Sequence, residues 1–153
     1  MLSRFVALVC LFHVSFIQVS ISQQTSDEKD VLQVFYHKRP PSMETLKGFK
    51  DFIKPYENQY IIKYYLITDD ANNELLTSLG LPEAHFPFAI AINGKTSALI
   101  EGDTIVFVKL PDFMHHIGRR QGNWTLKHLE TVLSNKDLFL PENPVIRTEA
   151  MQH

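Results

Sequence analysis

Ser42 follows His37 closely, and a serine near a histidine is the minimum for a nucleophile and its base. If Ser42 opened a helix, the positive helix end would ease a developing oxyanion. No third group is visible to orient the imidazole, however, and serine is also a preferred N-cap whose hydroxyl satisfies a free first-turn amide. The cap is the expectation. His115-His116, with His128, raises metal binding. Adjacent histidines diverge on a strand or a helix, so both could reach one ion only from an irregular loop. There is no His-x-x-x-His helix and no supporting carboxylate close by. His115 and His116 are therefore weak metal candidates, ordinary loop histidines are the expectation, and no cofactor is implied. Arg119-Arg120, with Lys38 and Arg39, could form an anion-recognition patch, because the planar guanidinium fork matches carboxylates and phosphates. Gly118 and Gly122 would permit close backbone approach there, and Trp124 could stack beside the guanidiniums. The favoured alternative has Trp124 packing this loop onto the last helix. Asn123-Trp124-Thr125 also matches the glycosylation acceptor pattern.

What bounds these chemistries is the start of the chain. Arg4 gives a positive beginning, Phe5 to Ile17 is an almost unbroken apolar run, and Ser20-Ile21-Ser22 offers small residues for cleavage. That is the three-part pattern of a secretory signal peptide. An uncleaved anchor is the rival, but the run is short for a span of about 20 residues. Cleavage near Ser22 is expected, leaving an exported protein, periplasmic or extracellular, with no stable membrane span. Cys10 is the only cysteine, so the mature chain would have no disulfide, thiolate nucleophile or thiol metal ligand. Stability must come from a packed core, for which about 130 residues rich in Phe, Tyr, Leu and Ile suffice. The formal charge of −2 becomes −3 when Arg4 leaves with the signal. So mild a balance argues against bulk phosphate binding, and no nucleic acid partner is expected.

The elements that must position these residues follow from pattern. Residues 23–30 are a polar lead-in, and Val31 to Tyr36 reads as a buried strand. The basic loop His37 to Pro41 is held extended by its prolines. From Ser42, the spacing of Met43, Leu46, Phe49, Ile53 and Tyr56, widened by Phe52, predicts an amphipathic helix that Pro55 ends. Tyr60 to Ile67 reads as a second buried strand, and strand, helix, strand at these lengths predicts a parallel crossover. A short helix over 72–79 is closed by Gly80. Phe88 to Ile92 is a strand with Pro87 at its mouth, since proline cannot donate to a ladder and X-Pro is where a cis peptide is cheap. Asn93-Gly94 predicts a hairpin into residues 96–100, and Glu101-Gly102-Asp103 a second into 105–110. After an irregular stretch over 111–122, Asn123 or Thr125 caps a last helix that buries Leu126, Leu129, Val132 and Leu133. One domain is thus expected over 31–134, with a flexible tail over 135–153.

This order resembles the thioredoxin-like fold: an α/β domain with a central mixed β-sheet flanked by helices. Its markers here are Phe35-Tyr36 closing the first strand, and Phe86-Pro87-Phe88 leading an apolar strand into Asn93-Gly94. The resemblance covers about residues 31–133, with an added strand and loop before the C-terminal helix. It implies a cis Pro87 lying beside the loop from His37 to Ser42. The redox motif of the family would fall near Arg39-Pro40-Pro41-Ser42-Met43, where no cysteine stands. Disulfide exchange needs a thiolate attacking a sulfur, so that activity is not expected.

The sequence therefore points to a redox-inactive exported domain that binds a peptide or protein, or serves as an accessory scaffold, through the groove beside Pro87. The expected binding set is His37, Arg39, Ser42, His85, Phe86, Pro87, His116, Arg119 and Trp124. The alternative is a metal- or anion-binding protein or an enzyme using the loop from His115 to Trp124. A purely structural accessory domain, held through Leu138 to Val145, is the third class.

Overall fold

The structure, a computed structural model, describes residues 29–81, 86–112 and 121–146. Among these, β1 (Asp30–Tyr36), α1 (Ser42–Ile53) and β2 (Tyr60–Leu66) come first, followed by α2 (Asn73–Ser78). Then come β3 (Phe88–Ile92), β4 (Ser97–Ile100), β5 (Asp103–Val106) and α3 (Leu126–Ser134). The result is a mixed α/β arrangement with a small mixed sheet. β1 lies in the middle, parallel to β2 on one side and antiparallel to β3 on the other.

β3 is buried along its whole length, and its side chains sort by face. Phe88, Ile90 and Ile92 join Leu32 and Val34 of β1 in a core closed by Leu46, Phe49 and Ile53 of α1 and by Leu129 and Val132 of α3. The opposite face carries only Ala89 and Ala91 from β3, which leaves room for Phe35, Leu76, Leu79 and Phe86. The register places Ala89 directly across from Phe35, so a small residue accommodates a large one on the shared face. This alternation of bulk is why an unbroken apolar run packs as a strand between two helix layers.

Four expectations are revised. β2 is an edge strand, with Ile61 42% and Tyr64 40% exposed, because among the described residues only β1 pairs with it. On α1, Met43 is exposed while Ser42 and Thr45 are buried, so the helix is rotated toward Pro87. The Asn93-Gly94 turn forms, both residues at positive φ, but only Ile92 and Lys95 bridge across it. The free edge of β3 is taken instead by the chain after β5: the Ile90 amide donates to the Phe107 carbonyl at 2.9 Å, and Ala89 bridges Val108. The expected single strand over 105–110 is thus divided between two partners, and it ends where Lys109 turns to a φ of 69°.

The fourth revision is the tail. From Asn135 to Ile146 the chain is fastened to the body. Phe139 bridges Ala98 and meets Phe107 edge-on at 6.4 Å, and the Leu140 amide donates to the Ser97 carbonyl at 3.0 Å. Asn143 donates to the Gly94 carbonyl at 2.7 Å and accepts from the Thr96 amide at 2.9 Å. No periodicity marks this stretch, because the tail is held by single side chains and isolated bridges. Among the described residues, no helix is long and apolar enough to cross a membrane.

Candidate functional site

The end of β1, the loop after it and the mouth of β3 meet at one place. Tyr36 and Phe88 are register partners, so the residues beyond each, His37 and Pro87, emerge from the same end of the sheet. The chain turns there into α1, whose first residue is Ser42; the position before it is Pro41, and no side chain caps the helix. This corrects the cap reading. The Ser42 hydroxyl donates to the Pro87 carbonyl at 2.6 Å instead, across 45 positions of sequence. Ser42 stands one position inside the helix, past the place from which a side-chain oxygen accepts a first-turn amide, and its buried hydroxyl donates to the carbonyl of the facing strand.

The interior of the site is closed. His37 is 5% exposed, Ser42 1% and Phe86 2%. Burial holds the His37 imidazole below the ordinary histidine range, and the positive charge of Arg39 adds to this. An interaction with the Phe86 backbone pulls the other way. The ring is thus neutral near pH 7. The nucleophile reading of Ser42 loses its chemistry, since an amide carbonyl holds the hydroxyl proton and cannot take it up as a base. The solvent-facing rim consists of Lys38, Arg39 and Pro40, with Pro41 and Pro87 half-buried.

Pro87 is not preceded by the cis bond that the resemblance implied. Among the described residues the cis peptide is Pro40–Pro41, on the facing loop. Both are X-Pro bonds, where the trans preference is only about 0.5–1 kcal/mol, so sequence does not discriminate between them.

Trp124 does not line the rim. It is wholly buried, stacked against Phe88 at 6.3 Å and meeting Phe107 edge-on at 5.8 Å, and its indole N–H donates to the Lys109 carbonyl at 3.2 Å. The recognition reading of Trp124 is therefore corrected to the packing one, because the indole fills the core beneath β3. Thr125, not Asn123, caps α3: its hydroxyl accepts from the His128 amide while His128 Nδ1 accepts from the Thr125 amide. That commits His128 to the cap and removes Nδ1 as a metal ligand. Asn123 ties the end of β5, accepting from the Val106 amide at 3.0 Å and donating to the Thr104 carbonyl at 2.8 Å. His85, His115, His116 and Arg119 lie outside the described residues. Among the described residues, no group of three or more His, Cys, Asp or Glu could hold a metal ion.

Of the expected binding set, the structure brings His37, Arg39, Ser42, Phe86 and Pro87 together and places Trp124 in the core. Lys38, Pro40 and Pro41 of the expected basic loop are on the rim with Arg39, and what the sequence did not signal is the bond from Ser42 to the Pro87 carbonyl, whose partners lie 45 positions apart. Compared with protein-family models, curated proteins and solved structures, the chain matches none of them.

Proposed function

We propose that this protein is an exported, redox-inactive domain of thioredoxin-like type that binds a peptide or protein segment at the rim beside Pro87. The element order supports the fold reading: a parallel crossover from β1 to β2, then a proline-led antiparallel strand back against β1. The apolar run near the amino terminus supports export, to the periplasm or the extracellular space. One observation carries the functional reading: the 2.6 Å bond from Ser42 to the Pro87 carbonyl, spanning the place where a redox pair would have to work. With Cys10 the sole cysteine, nothing there can attack a sulfur. The bond instead fixes the loop from His37 to Pro41 against β3. Arg39, Lys38 and two prolines are thereby presented on a rigid support, and a preorganised surface loses little entropy on binding. The partner this rim fits is an extended segment with a carboxylate for Arg39 and an apolar residue for Pro41 and Pro87.

The test is an NMR titration of the isotope-labelled mature domain with a peptide library, beside an insulin-reduction assay. Peptides ending in, or carrying, a carboxylate are expected to shift the amides of Lys38, Arg39, Ser42 and Phe88, and Arg39→Ala should weaken them roughly threefold to fivefold. Shifts that avoid these residues altogether would refute the binding reading. Disulfide reduction above background would refute the redox-inactive one.

A further inference from the structure

β2 is seven residues long, contains no proline, and among the described residues is paired on one side only. A strand edge of this kind is a template for another strand unless something blunts it. Which of its backbone groups are free follows from the ladder. The Ile67 amide donates inward to the Tyr36 carbonyl at 2.9 Å, so by alternation Ile62, Tyr64 and Leu66 turn their amides and carbonyls outward. The Leu66 carbonyl already accepts from the Asn72 side chain at 2.9 Å and from the Asp69 amide at 3.2 Å. The open stretch therefore centres on Ile62 and Tyr64 and stops at the Leu66 amide.

The charges say what fits there. Tyr64 lies on the α1 side of the sheet, with the Lys50 ammonium 4.9 Å from its ring centre. Ile61 and Lys63 lie exposed on the other side. A second copy of this chain pairing antiparallel through β2 would bring two pairs of lysines to one seam. In the register centred on Lys63 it would set that residue directly opposite itself, which is destabilising. The same lysines attract an acidic strand, and Glu57, whose charge reaches the Tyr64 hydroxyl, offsets part of that attraction on the α1 side, which leaves Lys63 as the stronger selector.

We propose that the β2 edge is a second docking site, distinct from the Pro87 rim, that takes an extended acidic segment of a partner protein as an added strand. The backbone of Ile62 and Tyr64 supplies the pairing, Lys63 and Lys50 select carboxylates on the two faces, and Ile61 covers an apolar neighbour.

The experiment titrates the isotope-labelled mature domain with a capped peptide alternating valine and glutamate. Its valine–lysine counterpart and a copy of the acidic peptide N-methylated at alternate residues serve as controls. The acidic peptide should shift the amides of Ile62, Tyr64 and Leu66 and protect them from exchange. The lysine peptide should bind roughly fivefold or more weakly, and N-methylation should abolish protection. Lys63→Glu and Lys50→Glu, both on exposed side chains, should each weaken the acidic peptide roughly threefold to fivefold. Circular dichroism would verify that each variant is folded. Equal binding of the acidic and lysine peptides would overturn the proposal, as would shifts confined to Lys38–Pro41. A dimer formed through β2 without peptide would overturn it in favour of a second copy.

Discussion

Ser42 shows how a single hydroxyl decides what its surroundings can do. Its bond to the Pro87 carbonyl is partly buried and joins the start of α1 to the mouth of β3. Ser42→Ala would leave that carbonyl without its donor, at a cost of about 1–3 kcal/mol. The expected outcome is a lower urea midpoint with an unchanged slope and altered chemical shifts around Pro87, whereas loss of an exposed cap, at about 0.5–2 kcal/mol, would have left Pro87 unaffected. His37 adds a pH dependence of definite sign. Burial first, and the Arg39 charge second, hold its pKa below the ordinary value, so the unfolded chain binds the proton more readily than the folded one. Its contribution to stability is complete above about pH 6.5, the ordinary histidine value, and is lost as pH falls through the lowered one. Urea midpoints should therefore drop between neutral pH and pH 5, and His37→Gln should flatten that drop. Asp30, held low chiefly by its hydrogen bond to Lys136, titrates in a separate and more acidic window. An unchanged midpoint across that range would refute the assignment to His37.

Among the elements, α3 depends on a close approach just before it. A Cβ at Gly122 would stand 2.4 Å from the Val108 carbonyl oxygen and 2.9 Å from the Trp124 ring. Both neighbours are fixed: Val108 bridges to β3, and Trp124 fills the core. Gly122→Ala should cost about 1–3 kcal/mol as overpacking and, by displacing the only tryptophan, should shift its fluorescence toward that of an exposed indole. An unshifted spectrum at unchanged stability would show that the strand after β5 can yield. The elements themselves were largely legible in the sequence. The stripe of Leu46, Phe49 and Ile53, the apolar run of β3 and the Asn93-Gly94 turn each carry a local period or turn chemistry. What was not legible is which edges they share. In Tyr60 to Leu66 only Lys63, a charge in the middle of an apolar run, signals an outer strand, and the exposure of the run follows from its having β1 as its one partner among the described residues. The destination of the Ser42 hydroxyl could not be read, because its partner lies at Pro87, far along the chain.

At the scale of the molecule, the sheet and the β4–β5 hairpin are joined by few backbone bonds, and the segment after α3 supplies much of what holds them. Lys136 pairs with Asp30 at the start of β1, and Lys95 donates to the Pro141 carbonyl. Asn143 clasps both sides of the turn at Gly94 and Thr96, and Phe139 covers Phe107. Ile146 reaches the second core, beside residues of α2 and β3. These contacts are dispersed, so no single one explains the path of the chain, yet together they tie the turn after β3 and the β4–β5 hairpin to both cores. A chain ending at Ser134 would uncover Phe107 and the Thr96 amide and free the turn after β3. Burying one aromatic side chain is worth about 1.5–3 kcal/mol, and each lost hydrogen bond adds about 0.5–1.5 kcal/mol. Truncation should therefore lower the thermal midpoint by several degrees relative to a chain ending at Ile146, with faster amide exchange at Lys95, Thr96 and Leu99. If the two chains melted together, the segment from 135 to 146 would be a passenger on a body already complete without it.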